Sequence, residues 1–202
     1  MKNRMLIVFF LTVCEAVFAQ EQTATTENQT TVTDKRKSEL EVLLSNKTLE
    51  GNYYRTASIL SLGDQELLGG INLTEDNDVL LKGGLSTHVL QKKTPLDIDI
   101  GARIYLSFVK EPDDDILGLA AGIRGRYELK ISERFPIALA SSIYYAPEIV
   151  TSGSNIDILD VEPIRAEVGL TSNIKAIAGF RVLEVGDKSL DNLFNLGASF
   201  RF

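Results

Sequence analysis

From Leu96 to Phe108 every second residue is apolar. Leu96, Ile98, Ile100, Ala102, Ile104, Leu106 and Phe108 alternate with Asp97, Asp99, Gly101, Arg103, Tyr105 and Ser107. A helix would scatter these positions around its circumference, whereas a β-strand gathers them on one face. The pattern recurs downstream. Leu117, Leu119, Ala121, Ile123, Tyr127 and Leu129 alternate with Gly118, Ala120, Gly122, Arg124, Arg126, Glu128 and Lys130. Val79, Leu81, Leu85 and Val89 alternate with Lys82, Gly84, Ser86 and His88, and the same rule covers 135–145, 164–170 and 174–182. Only Ile177 and Leu183 fall on the polar side of the last of these.

Ten strands are predicted, near 39–46, 53–62, 66–74, 79–91, 96–109, 116–130, 135–148, 159–172, 174–185 and 193–202. The first three alternate poorly because Leu43-Leu44 and Leu67-Leu68 break the period, so eight strands is the alternative count. Two series of connections separate the segments. Gly63–Gln65, Lys92–Pro95, Ile131–Arg134 and Ser172–Asn173 are mostly shorter; 47–52, 75–78, 110–115, 149–158 and 186–192 are mostly longer and richer in acid. Short periplasmic turns, longer outer loops and an even strand number characterise outer-membrane barrels. The fold expected over 39–202 is therefore all-β: a transmembrane antiparallel up-and-down β-barrel.

The start of the chain sets the compartment. Lys2 and Arg4 precede the apolar run Met5–Val13, and Ala16-Val-Phe-Ala19 precedes a polar Gln20. This reads as a signal peptide over 1–19; the run falls short of the roughly 20 residues of a membrane-spanning helix. Residues 20–38, rich in Gln, Glu, Thr and Asn, have no apolar periodicity and read as a flexible polar tail. The lone Cys14 lies within the leader, so the mature chain is expected to have no disulfide. Loss of Lys2, Arg4 and Glu15 moves the net charge from −7 to −8, which disfavours nucleic acid as a partner.

The ending reads Leu193-Phe-Asn-Leu-Gly-Ala-Ser-Phe-Arg-Phe202, with Phe194, Leu196, Ala198, Phe200 and Phe202 on one face. It resembles the C-terminal recognition signal of bacterial outer-membrane barrels, which implies that Phe200 and Phe202 serve as an assembly signal read by the barrel-assembly machinery. The alternative is an edge strand of a soluble sandwich. The barrel topology sorts the aromatics into two belts, with Tyr53, Tyr54, Phe108, Tyr145, Phe180 and Phe194 at outer ends of strands and Tyr127, Phe135, Phe200 and Phe202 at periplasmic ends.

The inward face carries the chemistry. It holds Lys82, His88, Asp97, Asp99, Arg103, Arg124, Arg126, Glu128, Lys130, Arg165, Glu167, Lys175, Arg181 and Arg201. A barrel of this size is close to the limit at which side chains fill the interior. Two readings stand: charges that pair with one another across the lumen, or a narrow polar path lined by Arg103, Arg124, Arg126, Arg165 and Arg181. Ser86 and His88, with Asp97 and Asp99 nearby, offer the parts of a nucleophilic site. The two share a face without need of a hydrogen bond, and they lie at the periplasmic end of their strand, so no catalytic residue is assigned. One histidine and no mature cysteine give no zinc set. The acidic loop Glu111–Asp115 lacks calcium-loop spacing, and no cofactor is expected.

Tyr144-Tyr-Ala-Pro-Glu148, then Ser152-Gly153, the strands 161–170 and 174–185, and the ending Asn195–Phe202 together resemble the YfaZ family of outer-membrane proteins. The likeness extends upstream through Gly101–Leu106 and Leu119–Gly125, and Glu39–Thr74 has fewer glycines than the family pattern. The resemblance implies a small outer-membrane barrel of a Gram-negative bacterium, with no catalytic residues to carry over. The expected function is a structural or porin-like protein of the cell outer membrane, in contact with its lipid and lipopolysaccharide, that passes or binds small solutes. A soluble periplasmic or secreted β-sandwich that binds a ligand is the second reading, and a barrel lipid hydrolase the third.

Overall fold

The computed structural model describes residues 38–57, 65–90, 95–109, 114–129, 131, 135–152 and 156–202; the leader and all of the polar tail but Ser38 lie outside the described residues. Ten strands form among them: β1 (Ser38–Leu44), β2 (Thr48–Ala57), β3 (Gln65–Thr74), β4 (Val79–Leu90), β5 (Leu96–Val109), β6 (Asp114–Leu129), β7 (Ile137–Ala146), β8 (Ile158–Gly169), β9 (Ile174–Val185) and β10 (Lys188–Arg201). Each pairs with its sequence neighbours, and β1 pairs with β10, so the sheet closes into one barrel. The seam runs antiparallel from Glu39 opposite Arg201 to Leu44 opposite Leu196. Beyond it, Ser38 and Phe202 exchange two backbone hydrogen bonds of 3.1 and 2.9 Å. A closed ring has no edge strand left to aggregate or to face lipid unpaired. It also rules out the two-sheet sandwich and the eight-strand count.

The period-2 pattern becomes two faces of opposite character. Leu40, Leu44, Ile100, Ile104, Leu117, Leu119, Ile143, Ile164 and Leu196 are exposed on the outer wall. Glu41, Glu50, Asn52, Asn72, Lys82, Arg165, Glu167 and Arg181 are buried in the lumen. Ten strands place Ser38 and Phe202 at one end, here called the terminal end; the β1–β2, β3–β4, β5–β6, β7–β8 and β9–β10 connections lie at the other, distal end.

Three sequence expectations shift. The second strand, predicted over 53–62, occupies Thr48–Ala57. Ser45 sets its start: the Ser45 hydroxyl accepts the Thr48 backbone N–H at 3.0 Å, and the backbone N–H of Ser45 donates to Thr48 O at 2.9 Å. The first loop thus contracts to 45–47. At the last hairpin β9 and β10 are joined by Gly186-Asp187 alone, with Gly186 at φ +57°, a left-handed conformation cheap only for glycine. The expected contrast between short terminal-end turns and long distal loops is therefore absent, and 147–157 is the one extended distal connection.

The aromatic belts shift with the strands. Tyr53 lies toward the terminal end, its hydroxyl 3.0 Å from that of Ser38, and Tyr54 turns inward, where it borders the lumen cavity. Phe180 and Phe194 meet edge to face at 5.4 Å in mid-strand rather than at the outer rim. Phe108 and Tyr145 remain near the distal end. Tyr127, Phe135, Phe200 and Phe202 remain exposed near the terminal end, with the last two rings stacked at 5.8 Å.

Strand β8 contains a bulge that changes which residues face inward. Opposite β7 and β9 the register slips around Glu162–Ile164. Pro163, without an N–H to give to a ladder, occupies this irregularity. After it Arg165 and Glu167 face the lumen; before it Ile158 and Asp160 do. Without the slip, alternation from Arg165 would have put Asp160 on the outer face.

Candidate functional site

The lumen is filled in layers. At the distal end Leu80, Tyr105, Ile116, Ala120, Tyr144, Ala146, Ile158, Leu183, Val185 and Leu190 form one buried apolar cluster, with Ile156 of the β7–β8 connection packed against it. Gly122 allows Tyr144 to lie flat across its neighbour: a Cβ there would come within 2.2 Å of Ile143 O and 2.4 Å of the Tyr144 ring. Asp78, at the end of the acid-rich 75–78 connection, is buried and pairs with Lys188 at 2.7 Å.

Beneath this plug lies a belt of charge. Glu50 accepts from Lys82 Nζ at 2.5 Å and from Asn52 Nδ2 at 2.6 Å, and it pairs with Arg181. Arg181 Nε also donates to Asp160 Oδ1 at 3.0 Å. Asp160 Oδ2 accepts from Tyr105 Oη at 2.7 Å and from Arg103 Nη1 at 3.1 Å. The Arg103 guanidinium stacks over Tyr144, 3.6 Å from the ring centroid, which ties the belt to the plug. Lower still, Arg165 pairs with Glu41, and its Nε donates to Glu167 Oε1 at 3.0 Å. Glu167 also accepts from Arg126 Nε at 3.2 Å, while Arg124 Nη1 donates to Glu66 Oε1 at 3.3 Å.

Every arginine singled out in the sequence, Arg103, Arg124, Arg126, Arg165 and Arg181, thus faces inward, and each is joined to a carboxylate. A buried charge left single is strongly unfavourable, whereas a buried pair with further hydrogen bonds is tolerated. Of the carboxylates that complete the pairs, Glu167 was on the expected inward face, whereas Glu41, Glu50, Glu66 and Asp160 were missed. Glu41 lies on the weakly alternating first strand, Glu50 in a segment expected to be a loop (47–52), and Asp160 before the bulge. The missed signal was arithmetic: several arginines on one inner face require comparable negative charge among the inward positions.

At the terminal end the lumen opens into a cavity of about 390 Å³. Glu39, Lys175 and Arg201 form part of its rim, with Lys175 Nζ and Arg201 Nη2 at 3.0 and 2.9 Å from the Glu39 carboxylate. His88 pairs with Asp99 on another part of the wall. Among the described residues no hydrogen bond joins Ser86 to His88, and Ser86 does not line this cavity. None of the residues of the distal plug lines it either, and Glu41, Arg124, Arg165 and Glu167 of the charged layers form part of its wall.

A family model described as "YfaZ precursor" matches residues 7–202. This chain belongs to the YfaZ family. The match spans the barrel and much of the expected leader, and the word precursor agrees with a segment removed on export. Among curated proteins no match is found. Solved structures similar to this YfaZ chain include a bacterial polysaccharide outer membrane secretin, at 11% identity and TM-score 0.42, covering 84% of this chain and 66% of that one. The KdgM porin is similar at 11% identity and TM-score 0.41, and its complex with disordered oligogalacturonate at 11% and 0.42; each covers 82% of this chain and 99% of its own.

Proposed function

We propose that this protein is a small, non-catalytic outer-membrane barrel that does not act as a general diffusion pore. The observation that carries the reading is the inversion of its two faces: a closed wall apolar on the outside around an ion-paired interior. Water would favour the opposite arrangement, and only a lipid surround makes the exposed leucines and isoleucines inexpensive. The layered filling supports a structural role. A through-path would have to cross the belt around Glu50 and Asp160 and then the apolar plug. With an export leader and an even strand number, the terminal end faces the periplasm and the distal hairpins face the lipopolysaccharide. Phe200 and Phe202 then present the apolar ending to the barrel-assembly machinery.

Membrane fractionation with heat-modifiable gel mobility tests residence: the unboiled protein should migrate as a compact form, and a protein soluble without detergent would defeat the proposal. Planar-bilayer recording of that folded material tests closure. Stable conductance steps in most insertions would establish a pore instead. Purified barrel should also release no fatty acid from phospholipid; release that disappears in His88→Ala would reinstate the hydrolase.

A further inference from the structure

The ladder between β6 and β7 is interrupted at its distal end. The two strands pair one for one from Leu129 with Ile137 up to Ala121 with Tyr145, a register that would continue to bring Glu148 opposite Gly118. Thr151 stands there instead, in an isolated antiparallel bridge to Gly118. Ser152 follows it along β6: its backbone N–H donates to Leu117 O and its hydroxyl accepts from the Leu117 N–H, each at 2.7 Å. Three residues are therefore extruded from the wall, and they are the 3-10 turn Glu148–Val150. The turn is tied at its base, where the Val150 N–H donates to Pro147 O and the Thr151 hydroxyl donates to Glu148 O, both at 3.0 Å. It has no room inward. A Cβ on Gly118 would come within 2.6 Å of Ile158 Cδ1, so the apolar plug already occupies the lumen at this height. None of the three residues is buried, and Ile149 is 91% exposed. Leu117 and Leu119, which flank Gly118 on β6, are exposed on the outer wall.

We propose that Glu148–Val150 is a lipid anchor, with Ile149 and Val150 inserted among the acyl chains of the surrounding bilayer at its distal interface. The occupant follows from continuity. The turn springs from the wall level with leucines that face lipid if the protein is an outer-membrane barrel, and the inference rests on that reading. Isoleucine and valine held out in water forfeit their burial, which acyl chains restore. Glu148 sets the depth, because a charge is costly at the bilayer midplane and nearly free at the interfaces. An apolar pair beside a carboxylate fits the boundary between acyl chains and head groups.

The chain contains no tryptophan, so one introduced at a time reports its own surroundings. The test uses protein refolded into phosphatidylcholine vesicles, with folding verified by heat-modifiable mobility. Ile149→Trp should emit at shorter wavelength than a water-exposed indole and resist aqueous iodide. It should lose more emission to bromines placed on the acyl chains near the head group than to bromines near the chain ends. Ile143→Trp, in the outer wall at mid-strand of β7, should be quenched most by the deeper bromines, and Asp187→Trp at the β9–β10 turn by iodide alone. If Ile149→Trp does not refold, Val150→Trp decides. The proposal is overturned if the indole at the turn is quenched by iodide and not by brominated lipid, or if it is shielded from both, as it would be against a second copy or another protein. Ile143→Trp separates the two kinds of failure: if brominated lipid still quenches it, the anchor alone falls; if not, the outer-membrane reading falls as well.

Discussion

Glu50 is the residue on which the interior depends most directly. It is 3% exposed, and Lys82, Arg181, Asn52 and Asn72 all converge on its carboxylate. Glu50→Gln keeps the shape and removes the charge, which leaves the cations around it short of a counterion. Breaking a buried pair from one side costs about 3–5 kcal/mol. The variant is therefore expected to unfold at distinctly lower urea than the wild type in the same lipid. Glu50→Gln/Lys82→Met, which removes both charges, should recover a substantial part of the loss; no recovery would mean that Lys82 is not the partner that matters. At this scale the positive charges were more legible than the negative ones, of which Glu167 was read and Glu41 and Glu50 were not. The arginines alternate with strong apolar residues and declare their face, whereas Glu41 is followed by Val42-Leu43-Leu44. There the inward Leu43, 4% exposed, masks the alternation of Leu40, Val42 and Leu44.

Among the elements, the strands whose two faces differ sharply were found within a few residues, and β5 and β9 on their predicted bounds. The exceptions have local causes that a periodicity count does not contain. The Ser45 turn starts β2 early, and a glycine turn lets β10 begin at Lys188. In β8 the bulge at Pro163 is the consequential case, because it lets Asp160 face inward to meet Arg103, Tyr105 and Arg181. Deleting Pro163 should remove the extra residue and either turn Asp160 to the outer face or force the whole strand to slip. Loss of the heat-modifiable compact form is expected on refolding, while Pro163→Ala, which retains the extra residue, should keep it. A deletion variant that refolds as well as the wild type would show that the bulge is dispensable.

For the whole molecule, closure rests on β1, the shortest strand and the one whose sequence pattern was weakest. Glu39 and Glu41 face inward from it toward β8, β9 and β10, so the seam is held by ion pairs as well as by its ladder. Replacing both with Gln should lower the temperature at which the compact form is lost, with far less change when exposed Glu75 and Asp76 at the distal turn are replaced instead. Equal effects would show that the pairs behind the seam contribute nothing special. The cavity was not legible beforehand, because filling depends on side chains from strands far apart in sequence meeting at one height.

Those pairs join groups 124 to 162 residues apart: Arg165 with Glu41, and Lys175 and Arg201 with Glu39. A growing or truncated chain that lacks either end has half of each pair and none of the benefit, so its would-be interior remains wetted by solvent. Such a chain gains little by curling up early. The ionic interior therefore ties closure to both ends of the chain: these pairs form only when the first strand and the last three are all present.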